Sequence, residues 1–364
     1  MNGMDSHPSP PPLLPAPTTA PAFAPTTSSR RLVNIDFARG MALFGILVVN
    51  TAILFGPLDT LIRPLSVEGR TGVNWWVAFF VLVLFQGKFV SLFSLLFGYG
   101  LLGQIERAYA SGWSATAFTF RRLGVLAVFG LIHALVFWYG DILFLYALMG
   151  GWLLLARGAS WRALLVTTCL LLLVGLVMNT AFAALNVFAS SFESDAGIPV
   201  SEGWPAALRA MGRAGFDPSA PVWIEAEVTA FRDGPWLDAQ IFRTAHWLFM
   251  LVMSPLTFGW SILGMMFAGG LLWRLRFFAR EQAPLRRWTL VVGLTGGLGI
   301  ETAAGALFWI GPAPESWIWA AGQVLHSIAL WFLPFGYLAA FAELAERLPE
   351  PLREIGRASC RERV

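Results

Sequence analysis

The stretch RLVNIDFARGMALFGILVVN, residues 31–50, is long and apolar enough to cross a bilayer, yet it carries Asp36, Arg39 and Asn50. A charged side chain inside hydrocarbon is costly unless it faces a partner or a watered cavity. Helical residues advance by about 100° each, so Asp36 and Arg39 share a face and Asn50 returns to nearly the same direction. The segment reads as a transmembrane helix whose polar stripe turns into a bundle, with Asn50 roughly 16 Å beyond Arg39 at 1.5 Å per residue. A plainer reading of the first turn also stands, with Asp36 as an N-cap and Arg39 as a snorkelling anchor. It does not reach Asn50.

The remaining chain repeats this pattern. Of 364 residues, 57% are apolar and 13% charged, which excludes an ordinary soluble domain. Apolar runs recur at 36–55, 75–103, 123–139, 142–156, 163–188, 245–273, 288–310 and 317–341, about eight spans. They are apolar on every side, unlike the alternating strands of a barrel. The expected fold is all-α, a polytopic transmembrane helix bundle with a cytoplasmic N-terminus. That orientation puts Arg107, Arg121, Arg122, Arg157, Arg162, Arg274, Arg276, Arg280, Arg286 and Arg287 in short cytoplasmic loops. The same rule makes 123–156 a hairpin turning at Gly140 and Asp141, with two short arms. Runs 75–103 and 245–273 are long and contain the breakers Gly87, Pro255 and Gly259, so each has room for an interfacial helix beside a span.

Residues 1–29 form a Pro-, Ala- and Thr-rich leader expected to be disordered, without the unbroken apolar core of a signal peptide. A first membrane domain covers 30–188. Segment 189–244 is acidic and of mixed polarity, expected as extracytoplasmic amphipathic helices forming a lid or a solvated cap. A second membrane domain covers 245–353. The ten residues IGRASCRERV, 355–364, match one reading frame of a short-read sequencing adapter, so 354–364 is expected to be foreign and the second domain truncated. Cys360 falls in that tail and Cys169 in an apolar run, which suggests neither a disulfide nor a metal site.

Several polar residues stand out within apolar surroundings. Lys88, the sole lysine, sits in FQGKFVSLFSLLFGYG and needs an anion, either Asp36 or a bound phosphate or carboxylate, unless it marks the junction of an interfacial helix and a span. His133 lies mid-span, suited to proton transfer or to a hydrogen bond between helices, and Asp141 either orients it or caps the helix beginning at Ile142. Glu301 and His326 lie equally far from the GPAPE turn and are expected to meet, as a packing pair or a proton relay. His246, beside Trp247, reads as an interface residue. No metal spacing, nucleophile elbow, phosphate loop or dinucleotide fingerprint occurs, and nothing calls for a nucleic-acid partner.

The ordered motifs NIDFARGMALFGILVVN, GKFVSLFSLLFGYG, RRLGVLAVFGLIHALVFWYGDILFLYAL and FRDGPWLDAQIFRTAHW resemble the bacterial YeiB-type membrane proteins, domain of unknown function 418, over residues 30–353. Their opening Asp and Arg-Gly are similar to those of transmembrane acyltransferases of the heparan glucosaminide acetyltransferase type. The resemblance implies a bacterial plasma-membrane protein that takes an acyl group from cytosolic acyl-CoA, with no bound cofactor, and delivers it to an extracytoplasmic acceptor such as a surface glycan. Asp36 and Arg39 match that motif. Many relatives in the sugar-modifying branch have histidine where Asn50 stands, so the base is sought at His133; His133, Asp141 and Asp36 are the expected catalytic residues, while Arg39, Asn50 and Lys88 are expected to contact substrate. The competing expectation is a proton-coupled small-molecule transporter lined by Asp36, Lys88, His133 and Glu301, although the chain has no clear internal repeat. A third is a non-catalytic scaffold. Lipid bilayer is the one partner all three require, and the oligomeric state stays open.

Overall fold

The computed structural model describes residues 33–54, 56–58, 72–189, 201–310 and 316–347, so the leader and the 354–364 tail lie outside it. Among the described residues the protein is all-α. The first half comprises α1 (Val33–Leu54), α2 (Val73–Leu84), α3 (Lys88–Ala110), α4 (Ala115–Ile132), α5 (Leu143–Gly150) and α6 (Trp161–Ala189). Three shorter or amphipathic elements follow: α7 (Ala206–Arg213), α8 (Pro221–Asp233) and α9 (Trp236–Met253). The chain closes with α10 (Gly259–Arg274), α11 (Ala283–Ile310), α12 (Trp317–Ala329) and α13 (Leu333–Arg347). Serine side chains start several helices: Ser114 accepts from Ala117 N, Ser160 from Ala163 N and Ser316 from Trp319 N, each at 3.2 Å. Each satisfies a donor that has no partner within its own helix.

Large apolar side chains cover the outside. Leu43, Phe44, Leu47, Val125, Val128, Phe129, Leu170 and Leu173 are all exposed, a surface suited to lipid tails and not to water. Among the described residues, five helical stretches are long and apolar enough to cross a membrane: Val73–Ala110, Ala115–Phe137, Trp161–Leu185, Arg280–Ile310 and Trp317–Arg347. A sixth arises if the pair Trp236–Leu256 and Gly259–Arg274, bent by 66°, counts as one span. The chain is therefore a multi-pass membrane bundle.

Several of the eight runs in the sequence fold as something other than one straight helix. Run 142–156 folds as α5 plus a tight 3-10 stretch, Gly151–Ala156. At about 1.5 and 2.0 Å per residue these give roughly 24 Å, short of a hydrocarbon core of about 30 Å. The first run forms α1, 22 residues with Asp36 in its first turn. Run 245–273 is the bent pair: Pro255 sits in the 3-10 turn Ser254–Leu256, and a Cβ on Gly259 would lie 2.6 Å from the Ser254 carbonyl oxygen. Run 75–103 breaks between α2 and α3, where Gly87 takes φ +75°.

Helix α3 and helix α10 form the centre of the bundle. A Cβ added to Gly98 would lie 2.0 Å from the Met266 carbonyl oxygen, and one on Gly269 would lie 2.0 Å from that of Leu95. The two backbones thus touch directly, as small residues allow. Within lipid, this close packing holds helices together where apolar burial alone does not. Helix α6 meets α10 at Gly264 through Leu172, and α11 crosses α13 where Gly293 faces Gly336. Gly269→Ala is expected to lower the thermal midpoint in detergent, with an overpacking cost of about 1–3 kcal/mol. Gly296→Ala, which meets nothing within 4 Å, should leave it unchanged or raise it. Equal midpoints for Gly269→Ala and wild type would contradict the backbone contact.

Candidate functional site

Polar side chains gather at three places. At the end of the bundle away from the arginine-rich loops, α4 loosens into a π-turn, His133–Phe137, before the chain reverses. The reversal docks tightly because Gly130 has no side chain; a Cβ there would lie 2.4 Å from Phe144 N and 2.9 Å from Asp141 Oδ2. Asp141 Oδ2 accepts from Phe144 N at 2.8 Å and so caps α5. Its Oδ1 lies 3.1 Å from His133 Nδ1. One carboxylate thus makes both contacts, the cap of α5 and the approach to His133. The Asp141 side chain is fully buried while that of His133 is 41% exposed. When Nδ1–H donates to Asp141, Nε2 is left as an acceptor, the arrangement of an oriented general base.

Helices α7, α8 and the start of α9 pack together over this end, around Ala207, Met211, Trp223, Ala230 and Phe242. Glu227 on α8 joins the cap to the bundle: its Oε1 accepts from Leu58 N at 3.1 Å, and its Oε2 lies 3.6 Å from His246 Nε2. Gln240 donates to the Leu135 carbonyl of the π-turn at 2.9 Å. His246 is fully buried, its ring 4.7 Å from that of Tyr139 and 5.9 Å from that of Trp223. That corrects the reading of His246 as an interface residue; the cap covers the face of α9 that would otherwise meet the interface. Burial, with the Glu227 carboxylate adding to it, holds the Tyr139 hydroxyl above the ordinary phenol range, so it stays protonated and able to donate.

The second constellation lies inside the bundle. Lys88 Nζ donates to Glu301 Oε1 at 2.8 Å and to the Leu82 carbonyl at 2.6 Å. His326 Nδ1 lies 2.8 Å from Glu301 Oε1 and 3.1 Å from Oε2. Lys88 and Glu301 are fully buried. Glu301 and His326 meet across α11 and α12, and the carboxylate beside Lys88 is Glu301, not Asp36. The interruption between α2 and α3 frees backbone carbonyls, and Lys88 takes that of Leu82 while Tyr337 Oη donates to that of Leu84 at 2.9 Å. The sequence signal for this link was present: Lys88 and Glu301 are opposite charges in apolar runs.

At the arginine-rich end, Asp36 lies within the first turn of α1 and not before it, and its Oδ1 is 3.5 Å from Arg39 Nη1. Arg39 runs along α3, where a Cβ on Gly100 would come 2.7 Å from its Nη2. The charges of Arg39 and Arg107 bear on Tyr99, and that of Arg39 on Arg122. Asn50 is half-buried near the other end of α1, next to Val49, which packs on the Leu58–Tyr139 cluster. Two networks went unread in the sequence. Glu106 pairs with Arg274 and accepts from Trp273 Nε1 at 2.8 Å. Buried Arg286 holds Glu343 and Glu346, each at 3.2 Å, and the carbonyls of Phe277 and Ala279. Among the described residues no cluster of three His, Cys, Asp or Glu side chains is placed to hold a metal.

The chain is similar to the uncharacterised protein YeiB of Escherichia coli K12, 29% identical over 315 residues, which cover 85% of this chain and 74% of that protein. It is similar to the uncharacterised protein YxaH of Bacillus subtilis 168, 41% identical over 150 residues, 40% of this chain and 37% of that protein. An uncharacterised 39.9 kDa protein encoded 3′ of an amylase in Bacillus acidopullulyticus is 34% identical over 149 residues, 41% of this chain and 40% of its own length. No family model and no solved structure matches. The likeness is to YeiB- and YxaH-type uncharacterised proteins and not to a characterised acyltransferase.

Breaking the buried Lys88–Glu301 pair by Lys88→Met or Glu301→Gln is expected to cost about 3–5 kcal/mol, since each leaves a buried charge or carbonyl without its partner. The double variant should lose less than the sum of the two. Denaturant titrations in mixed micelles measure this, and strictly additive losses would refute the coupling.

Proposed function

We propose that the protein is an acyltransferase of the bacterial plasma membrane with a cytoplasmic N-terminus. It moves an acyl group from cytosolic acyl-CoA to a hydroxyl or amine acceptor at the capped end, such as an envelope glycan. The observation that carries this reading is the His133–Asp141 dyad: a buried carboxylate holding an imidazole whose own side chain is open. In this reading His133 Nε2 takes the proton of the acceptor as its oxygen or nitrogen attacks the thioester carbonyl carbon. The C–S bond then breaks, and the imidazolium returns the proton to the coenzyme A thiolate. Asp141 stabilises the imidazolium in between.

Arg39, Arg107 and Arg122 supply positive charge for the donor's phosphates, with Asp36 steadying Arg39. His133 stands roughly 16 Å beyond Arg122 along α4, a gap suited to the pantetheine arm of coenzyme A. Asn50 serves as a substrate contact on the α1 side. In this reading Lys88 is held by Glu301 and braces the bundle. A second reading, a proton-coupled transporter, draws on the Lys88–Glu301–His326 cluster at an interrupted helix, a place where transport sites are found.

With the full chain in nanodiscs, labelled acetyl-CoA and envelope extract, label is expected to reach an acceptor. His133→Ala should lower kcat/KM by about 10²–10⁴-fold, and Glu301→Gln should keep the chemistry in whatever fraction remains folded. Absence of transfer by wild type, together with solute counterflow in proteoliposomes that Glu301→Gln abolishes, would replace the enzyme reading with the transporter.

A further inference from the structure

Helices α11 and α13 touch at Gly293 and Gly336, and between that contact and the arginine-rich end they leave a groove. Its volume is about 430 Å³, and it is lined by Arg287 and Leu290 from α11 and by Ala340, Glu343, Leu344 and Arg347 from α13. Small-molecule sites usually occupy about 300–1,000 Å³. The charge in this groove is unbalanced. Buried Arg286 holds both neighbouring carboxylates, Glu343 and Glu346, each at 3.2 Å. Arg287 and Arg347 are exposed, and among the described residues neither makes an ion pair or a hydrogen bond. Arg347 follows Glu343 at the four-residue spacing of a helical ion pair, but that carboxylate is turned to Arg286.

We infer that this groove binds the headgroup of an anionic glycerophospholipid, with the lipid's chains lying along its apolar flank. Two guanidiniums from two helices present planar forks that match phosphate oxygens. Beside them the wall turns apolar: Leu290 and Ala340 line it, Leu344 is exposed at its edge, and Val291 is exposed on the adjoining lipid-facing surface. Trp288, next to Arg287, is 70% exposed, an indole suited to headgroup depth. A soluble phosphate would meet the arginines and leave the leucines uncovered. A zwitterionic lipid would cover the leucines but bring no net charge to the guanidiniums. An anionic lipid answers both.

Location agrees with this chemistry. Basic grooves between transmembrane helices at the cytoplasmic side are where anionic headgroups bind, and the positive-inside rule puts the arginine-rich end on that side. The site lies on α11 and α13, apart from the His133–Asp141 dyad, so lipid binding stands or falls without acyl transfer.

Binding of a fluorescent phosphatidylglycerol to the full chain in uncharged detergent, followed by energy transfer from tryptophan, tests the inference. Saturable binding is expected, weakened by salt and reversed by unlabelled phosphatidylglycerol. Phosphatidylcholine with the same chains, and glycerol 3-phosphate, should displace the probe far less well. Arg287→Gln and Arg347→Gln should each weaken binding about fivefold and the double variant about thirtyfold. Neither arginine has a described partner to lose, so unchanged thermal midpoints are expected; Arg213→Gln on the cap should keep wild-type affinity. Equal displacement by phosphatidylcholine would reduce the site to an apolar surface, and equal displacement by glycerol 3-phosphate would make it a soluble-phosphate site. Either result, or wild-type affinity in the folded double variant, would overturn the inference.

Discussion

Interrupting a helix inside a membrane protein strands backbone carbonyls that neither water nor the next turn can reach. Between α2 and α3 that demand is met by Lys88 at the Leu82 carbonyl and Tyr337 at the Leu84 carbonyl. A lysine buried for this purpose needs a counter-charge, which brings Glu301 from α11, and Glu301 in turn engages His326 from α12. Four segments of the chain are thereby tied at one point. In the second half, Gly293 and Gly336 let α11 and α13 approach at backbone distance.

The same economy of short elements shapes the capped end. The second arm of the α4–α5 hairpin, Leu143–Ala156, is short, and the cap helices pack at the hairpin's tip. Its π-turn carbonyl at Leu135 is taken by Gln240, and the buried Leu58 amide by Glu227. At this end the Asp141 carboxylate is buried while the His133 side chain stays open. Gly130 is the local condition for the dyad, since a side chain there would push the Asp141 turn away from His133.

The opposite end is held by ion pairs that anchor loops to helices. Arg286 is almost wholly buried and uses its planar fork on two carboxylates and two carbonyls at once, a role a lysine could not fill. Glu106 does the equivalent for Arg274 and Trp273. At the same end the charges of Arg39 and Arg107 bear on Tyr99.

What was legible in the sequence is what depends on neighbours along the chain or on depth. Unbroken apolar runs dictate an all-α multi-pass bundle because only a helix satisfies its own backbone in lipid. His133 and Asp141 are eight residues apart across a turn, and Glu301 and His326 are equidistant from another, so both pairs follow from one coordinate, distance along the span. Rotation about each helix axis and the lateral order of helices leave no such trace. Those are decided by where glycines let backbones touch, as at Gly98 and Gly269. Hence Lys88 finds Glu301 and not Asp36, and His246 turns under the cap and not toward the interface. Span number belongs to the same class, because the bend at Pro255 and the tight 3-10 turn after Gly150 change how far a run reaches without changing how apolar it is.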